Sequence, residues 1–156
     1  MLAAVISAGV LLWTVLLPSP EKVIRKQLAE LARVASFSGN QGSLAVISGA
    51  QKLAGFFSTN VEVNLNLPGH AQILNGRDEV MQAAAGARTL LDGLQVKFPD
   101  VNVTVAPDKQ SANADLTVEA RAAGDRGVIW QEMKFTFQKT GGKWLISRVE
   151  TVRTLT

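Results

Sequence analysis

The apolar residues of this chain change their spacing near residue 60, and that change restricts the fold more than any other feature of the sequence. Before it, they recur at helical intervals. Ser19 has the chemistry of a helix N-cap, with Pro20 at the first helical position. Val23, Ile24, Leu28, Leu31, Ala32 and Ala35 then form a stripe of period 3.6, with Lys22, Arg25, Lys26 and Glu30 away from it. The stretch from Ser38 to Gly42 reads as a loop. Ser43 to Phe57 reads as a second helix, with Leu44, Ile47, Ala50, Leu53, Ala54 and Phe57 along one side.

After residue 60 the period is two. Val61, Val63, Leu65 and Leu67 alternate with Asn60, Glu62, Asn64 and Asn66, the pattern of a half-buried strand, which Pro68-Gly69 ends. One alanine-rich helix interrupts, from Arg77 to Leu91, started by Gly76 and Asp78. Strands then follow one another. Leu94 to Val105 is expected to be interrupted at Pro99, which has no N–H for the ladder. Ala112 to Ala122 comes next, and Gly124 to Gly127 forms a hairpin loop. Val128 to Lys139 carries Met133, Phe135 and Phe137 on one face and Trp130, Glu132 and Lys134 on the other. Thr140 to Lys143 is a second turn, and Trp144 to Leu155 closes the sheet. Helices and strands segregated in this way predict an α+β domain over residues 21–156 with consecutive antiparallel strands.

The first 20 residues stand apart, because no charged side chain occurs among them. Leu2 to Leu17 is almost wholly apolar, about 16 residues or roughly 24 Å of helix. A membrane span usually takes about 20 residues, so this hydrophobic N-terminal helix is short but usable, with Trp13 near an interface. A cleaved secretory signal and a buried core helix compete with that reading. The signal is disfavoured by the absence of Lys and Arg before the apolar run and by the poor cleavage site at Pro18-Ser19-Pro20. We therefore expect a single-pass membrane anchor over residues 2–17. Lys22, Arg25, Lys26 and Arg33 follow the apolar run, which weakly favours the cytoplasmic side for the domain. Against this, the same residues can be the wet face of the first helix.

Composition removes several classes of function. The 156 residues carry 16 Lys and Arg against 13 Asp and Glu, and the resulting +3 is scattered rather than gathered into a basic stripe, so no nucleic-acid partner is expected. Cysteine is absent, which excludes disulfides, thiol nucleophiles and Cys-ligated zinc. With a single histidine, no metal site and no cofactor are expected. No glycine-rich phosphate loop, nucleophile elbow or catalytic triad pattern is visible.

Three stretches of sequence, in their order, carry a family resemblance: FFSTNVEVNL leading into the first strand, NGRDEVMQ opening the third helix, and the closing hairpin MKFTFQKTGGKWLISRVETV. Over residues 21–156 the chain resembles the nuclear transport factor 2-like superfamily, which includes SnoaL-like and ketosteroid isomerase-like proteins of cystatin-like fold. The resemblance implies a strongly curved antiparallel sheet wrapped around three helices as a cone, with a pocket in its open end. It also implies frequent dimerisation through the outer sheet face, hence a homodimer here. It does not imply a reaction, since the superfamily holds isomerases, cyclases, dehydratases and proteins without chemistry.

The candidate site residues are His70, Trp130, Glu132, Arg148 and Glu150. His70 follows Pro68-Gly69 in what reads as a loop, and the resemblance puts that loop near the mouth of the cone. Arg148 and Glu150 are expected to share a strand face with Trp144, Ile146 and Val152, as Trp130 and Glu132 share one on the neighbouring strand. Charges among large apolar groups fit a ligand pocket with polar anchors, and they fit cross-strand ion pairs on an outer face or dimer surface equally well. The isomerase mechanism lacks support, because the chain has no tyrosine and Glu62, Asp115 and Glu119 fall on polar strand faces. The preferred reading is a membrane-held, non-catalytic module that binds a small hydrophobic ligand or a protein. The alternative is a SnoaL-like enzyme of isomerase, cyclase or dehydratase type, with His70 or Glu132 carrying a proton.

Overall fold

A computed structural model of the chain describes residues 18–67 and 69–152. The expected hydrophobic helix over residues 2–17 lies outside the described residues. Among those residues, no helix is long and apolar enough to cross a membrane.

The first helix, α1 (Pro20–Ala35), starts where its cap residue predicts, since Ser19 is extended and its hydroxyl accepts the Lys22 N–H. Ile24, Leu28, Leu31 and Val34 are its buried stripe. Ser36 ends the helix and hands the chain to a two-residue strand, β1 (Phe37–Ser38), where the composition from Ser38 onward predicts a loop. The second helix, α2 (Ser43–Ala54), is three residues shorter than expected, and only its C-terminal half is covered. Ala50 and Ala54 are buried, whereas Leu44 and Ile47, expected on the same side, stand exposed.

The strand β2 (Phe57–Leu67) and the strand β3 (His70–Asn75) form a hairpin, so His70 opens a strand rather than lying in a loop. Gly76, at φ +94, turns the chain into α3 (Arg77–Leu90). Two side chains fasten that start. Glu79 accepts the Asn75 N–H at 2.7 Å, and Arg77 donates from Nε and Nη2 to the Phe57 carbonyl at 2.9 and 2.7 Å. Four long strands complete the domain: β4 (Gly93–Val105), β5 (Ser111–Ala122), β6 (Ile129–Thr140) and β7 (Lys143–Thr151).

The strand order is β1-β4-β5-β6-β7-β2-β3. The expectation of an antiparallel sheet needs correction, because β2 runs parallel to β7 and the sheet is mixed. The physical reason lies in the connection. Everything from β3 to β6 intervenes between those two strands, so no tight turn forces them antiparallel. The fold is α+β, with three helices against one face of a seven-stranded sheet. Between that face and the helices lies the core, where Ile24, Leu28, Val61, Phe137 and Ile146 are the most deeply buried large side chains. Phe98 packs edge-on against Phe135 within it, at 6.1 Å between ring centroids.

Beside a break in the β2–β7 register between Phe57 and Glu62, two bulges shape the sheet. Lys97 pairs with Glu119 and Asp100 with Thr117, so β4 holds one extra residue at Phe98-Pro99, where proline had predicted an interruption. In β7, Ile146 pairs with Phe137 and Arg148 with Thr136, which leaves Ser147 as the extra residue. This second bulge decides what the candidate site is.

Candidate functional site

The bulge at Ser147 reverses the alternation of β7 halfway along it. Trp144 and Ile146 are buried on the helix side, and after the bulge Val149 takes over that role. Arg148 and Glu150 are thereby turned to the outer face, away from Trp144 and Ile146, which corrects the expectation that the four share a face. Trp130 and Glu132 lie on the outer face as well, since Met133, Phe135 and Phe137 occupy the inner one. Four of the five candidates therefore share the outer face of the sheet, not the mouth of a cone, with Trp130 six residues along β6 from Thr136, the partner of Arg148.

His70 is separate from them. It pairs with Leu67, which gives it the inner-face parity of Gln72 and Leu74, at the exposed end of the edge strand β3. Three strand spacings, about 14 Å, divide β3 from β6 in the order β3-β2-β7-β6. The imidazole and the Glu132 carboxylate thus lie on different faces and strands, and they cannot share a proton on one small substrate.

The outer face is organised by charge. Register places Lys134 between Asp115 and Glu150, and Arg148 beside Glu62. Arg148 Nε also lies 3.3 Å from Glu150 Oε2 on its own strand. Alternating charges at cross-strand distance stabilise a sheet by a few tenths of a kcal/mol per pair, up to about 1. A shallow trough of about 320 Å³ runs beside this ladder, lined by Asp100, Asn102, Asp115, Thr117 and Glu132. Its three acids do not form a metal site: among the described residues, no group of three His, Cys, Asp or Glu could hold an ion.

A second constellation was not anticipated from the sequence, and it centres on Arg88. Near the end of α3, this arginine donates from Nη2 to the Val34 carbonyl at 2.6 Å and from Nη1 to Gln41 Oε1 at 3.0 Å. Its guanidinium carbon sits 4.9 Å from the centre of the Phe37 ring. Both hydrogen-bond partners are neutral, and among the described residues no carboxylate lies within 4.0 Å. Burial pushes the Arg88 pKa below its ordinary value, the mark of a cation without its counter-charge. A guanidinium has five N–H donors, so about three remain unused. Arg88 lines a trough of about 400 Å³, shared with Val46, Ile47 and Leu91 on the apolar side and Gln41 and Asp92 on the polar side. The only sequence signal for it was one cation among Ala83, Ala84, Ala85, Gly86 and Ala87, facing another small residue, Gly49, on α2.

No protein-family model matches the sequence, and comparison with curated proteins finds no match. Solved structures do match in fold. An NTF2-like protein with a cystatin-like fold from Novosphingobium aromaticivorans superposes with a TM-score of 0.66 at 18% identity, over 94% of this chain and 86% of that one. A provisionally assigned scytalone dehydratase from the same organism gives 0.62 at 19% identity, over 86% and 84%. The yeast Ubp3-associated protein Bre5 gives 0.64 at 11% identity, over 88% and 99%. The chain therefore has the cystatin-like, nuclear transport factor 2-like fold.

Proposed function

We propose that this chain is a non-catalytic binding module, held at a membrane by its apolar segment at residues 2–17, with the domain on the cytoplasmic side. The ligand trough is the one at Arg88. The observation that carries the reading is a partly buried guanidinium bonded only to neutral acceptors in a cleft with an apolar wall. A small ligand with a carboxylate and a short hydrophobic body supplies the missing charge and covers Val46 and Ile47. Chemistry on such a ligand would need a proton carrier. Of the candidates, His70 is on the far edge strand, and Asp92, the carboxylate that lines this trough, is exposed. Self-association through the outer sheet face, with its self-complementary charge ladder, is the proposed oligomeric mode.

A thermal-shift screen of the full chain against small apolar carboxylic acids tests the ligand reading. Binding is expected to raise the melting temperature of the wild type and to vanish in Arg88→Met. Turnover of any screened compound, lost in His70→Ala or Glu132→Gln, would favour the dehydratase-type alternative, to which only the fold of a provisionally named dehydratase lends support. Recovery of the native protein in a salt-washed soluble fraction would sink the anchor. Strong alkaline phosphatase activity from a C-terminal fusion would place the domain outside.

A further inference from the structure

Hydrogen bonds fix which end of the domain faces the start of the chain. Ser36, just after α1, is bonded to Val96 of β4, and Arg25 near the start of α1 donates to the Val101 carbonyl at 2.9 Å. The helix therefore runs back along β4 toward the β4–β5 turn. Gln27 donates to the Trp144 carbonyl at 3.1 Å, just past the β6–β7 turn, and the Lys139 N–H donates to the Gln110 carbonyl at 2.8 Å, joining the two turns. The N-terminus of α1 and both turns thus finish at the same end, next to residue 18.

Each of these three segments brings lysine to that end. Lys22 and Lys26 are on α1, Lys109 is in the β4–β5 turn, and Lys139 and Lys143 flank the β6–β7 turn; all five are exposed. The chain has eight lysines, and the other three, Lys52, Lys97 and Lys134, lie on α2 and within β4 and β6. Of the acids near this end, Glu21 is paired with Arg25 at 3.1 Å, while Asp108 accepts the Gln110 N–H at 3.0 Å and keeps its charge, which leaves the five lysines in excess. Lys109 holds φ at +56, where glycine or asparagine would be less strained.

We infer that this lysine-rich end docks on the headgroups of anionic phospholipids in the bilayer that the apolar segment enters. The inference rests on the membrane-anchor reading and adds to it a specific lipid contact. Orientation during insertion is set by basic residues within about 15–20 positions of the span, so Lys109, Lys139 and Lys143 are too far along the chain to serve it. Folding nevertheless brings them beside the point where the span must emerge. A basic residue near an anionic surface strengthens association about fivefold, within a Debye length of about 8 Å.

The test uses the full chain in lipid nanodiscs of phosphatidylcholine alone or mixed with phosphatidylserine, with the acetylation rate of each lysine read by mass spectrometry. Lys109, Lys139 and Lys143 are expected to react at least about fivefold more slowly in the anionic discs. High salt should abolish the difference, and Lys52 and Lys97 should show none. The triple variant Lys109→Gln, Lys139→Gln, Lys143→Gln should enter both disc types, with the protection of Lys22 reduced. Equal labelling in both lipids by chain that has entered the discs overturns the docking and leaves the anchor standing. Chain recovered outside both disc types overturns the anchor, and the docking falls with it.

Discussion

Replacing Gly49 by alanine should destabilise this protein, although the same change in a helix interior ordinarily stabilises it. Alanine in place of glycine at such a site is worth about 1 kcal/mol in helix propensity. Here, a Cβ on residue 49 would lie 2.6 Å from Arg88 Nη1 and 2.7 Å from Nε, too close to keep. The arginine is flexible, so the clash itself is relieved cheaply by swinging the guanidinium away. What is lost is its grip on Val34 and Gln41 and its stacking on Phe37. Two hydrogen bonds from a charged donor, discounted for partial exposure to about 1 kcal/mol each, and a cation–π contact of about 0.5 kcal/mol give roughly 2.5 kcal/mol. After the propensity gain, the net loss is about 1.5 kcal/mol, or about 5 °C in melting temperature for a domain of this size. The decisive assay is a double-mutant cycle by thermal or urea unfolding. In an Arg88→Ala background the obstacle is gone, so Gly49→Ala should become stabilising by about 1 kcal/mol. A Gly49→Ala effect of the same sign and size in both backgrounds would refute the reasoning.

Three further outcomes follow from single contacts. Ser36→Ala removes a hydroxyl that donates to the Ala32 carbonyl at 2.8 Å and accepts the Val96 N–H at 2.9 Å, and it should cost about 1–2 kcal/mol with faster amide exchange at Val96. Arg148→Ala should cost under about 1 kcal/mol in dilute monomer, because its side chain is 50% exposed; a larger loss that grows with protein concentration would place this face in a dimer. The hydrogen bond from Arg33 holds the Glu30 carboxyl below its ordinary pKa, so the pair's contribution is present at neutral pH and disappears as pH falls through that lowered value. The small difference in melting temperature between wild type and Glu30→Gln should accordingly close in acid, and a difference that persists there would contradict the pairing.

Local chemistry was the most legible part of this sequence. The cap at Ser19, the start of α3 and the interruption at Pro99 each follow from a few neighbouring residues and are where they were expected, and the stripe on α1 keeps Ile24, Leu28 and Leu31 but adds Val34, which was not expected in it. Contacts between distant segments were not legible. The parallel pairing of β2 with β7 depends on residues such as Phe57 and Ile146, distant in the chain, finding each other, and no local pattern encodes it. Leu44 and Ile47 fit the apolar side of α2 perfectly well, but nothing in the helix reveals that no other element covers them. Arg88 was missed for the same reason. Its partners Val34, Phe37, Gln41 and Gly49 come from four other segments, and its setting among neutral acceptors exists only once they assemble.

The placement of Arg148 and Glu150 is a different kind of miss, because its signal was present. In β7 the buried residues are Trp144, Ile146 and Val149, a step of two followed by a step of three. In β4 the inner-face series Phe98, Val101, Val103 and Val105 also begins with a step of three, across Pro99. A strand cannot bury residues three apart on one face unless an extra residue bulges between them. Proline drew attention to the first case, and Ser147, which carries no such flag, concealed the second. Strict alternation carried from Trp144 to Glu150 puts two charges into a core of Phe137 and Ile146; carried back from Val149 it puts them in water. Burying charges among apolar groups without partners costs several kcal/mol, far more than a bulge, so the burial rule decides for the bulge. The same choice sends Arg148 and Glu150 from a supposed pocket to the outer face, where they join Glu62 and Lys134 in a charge ladder.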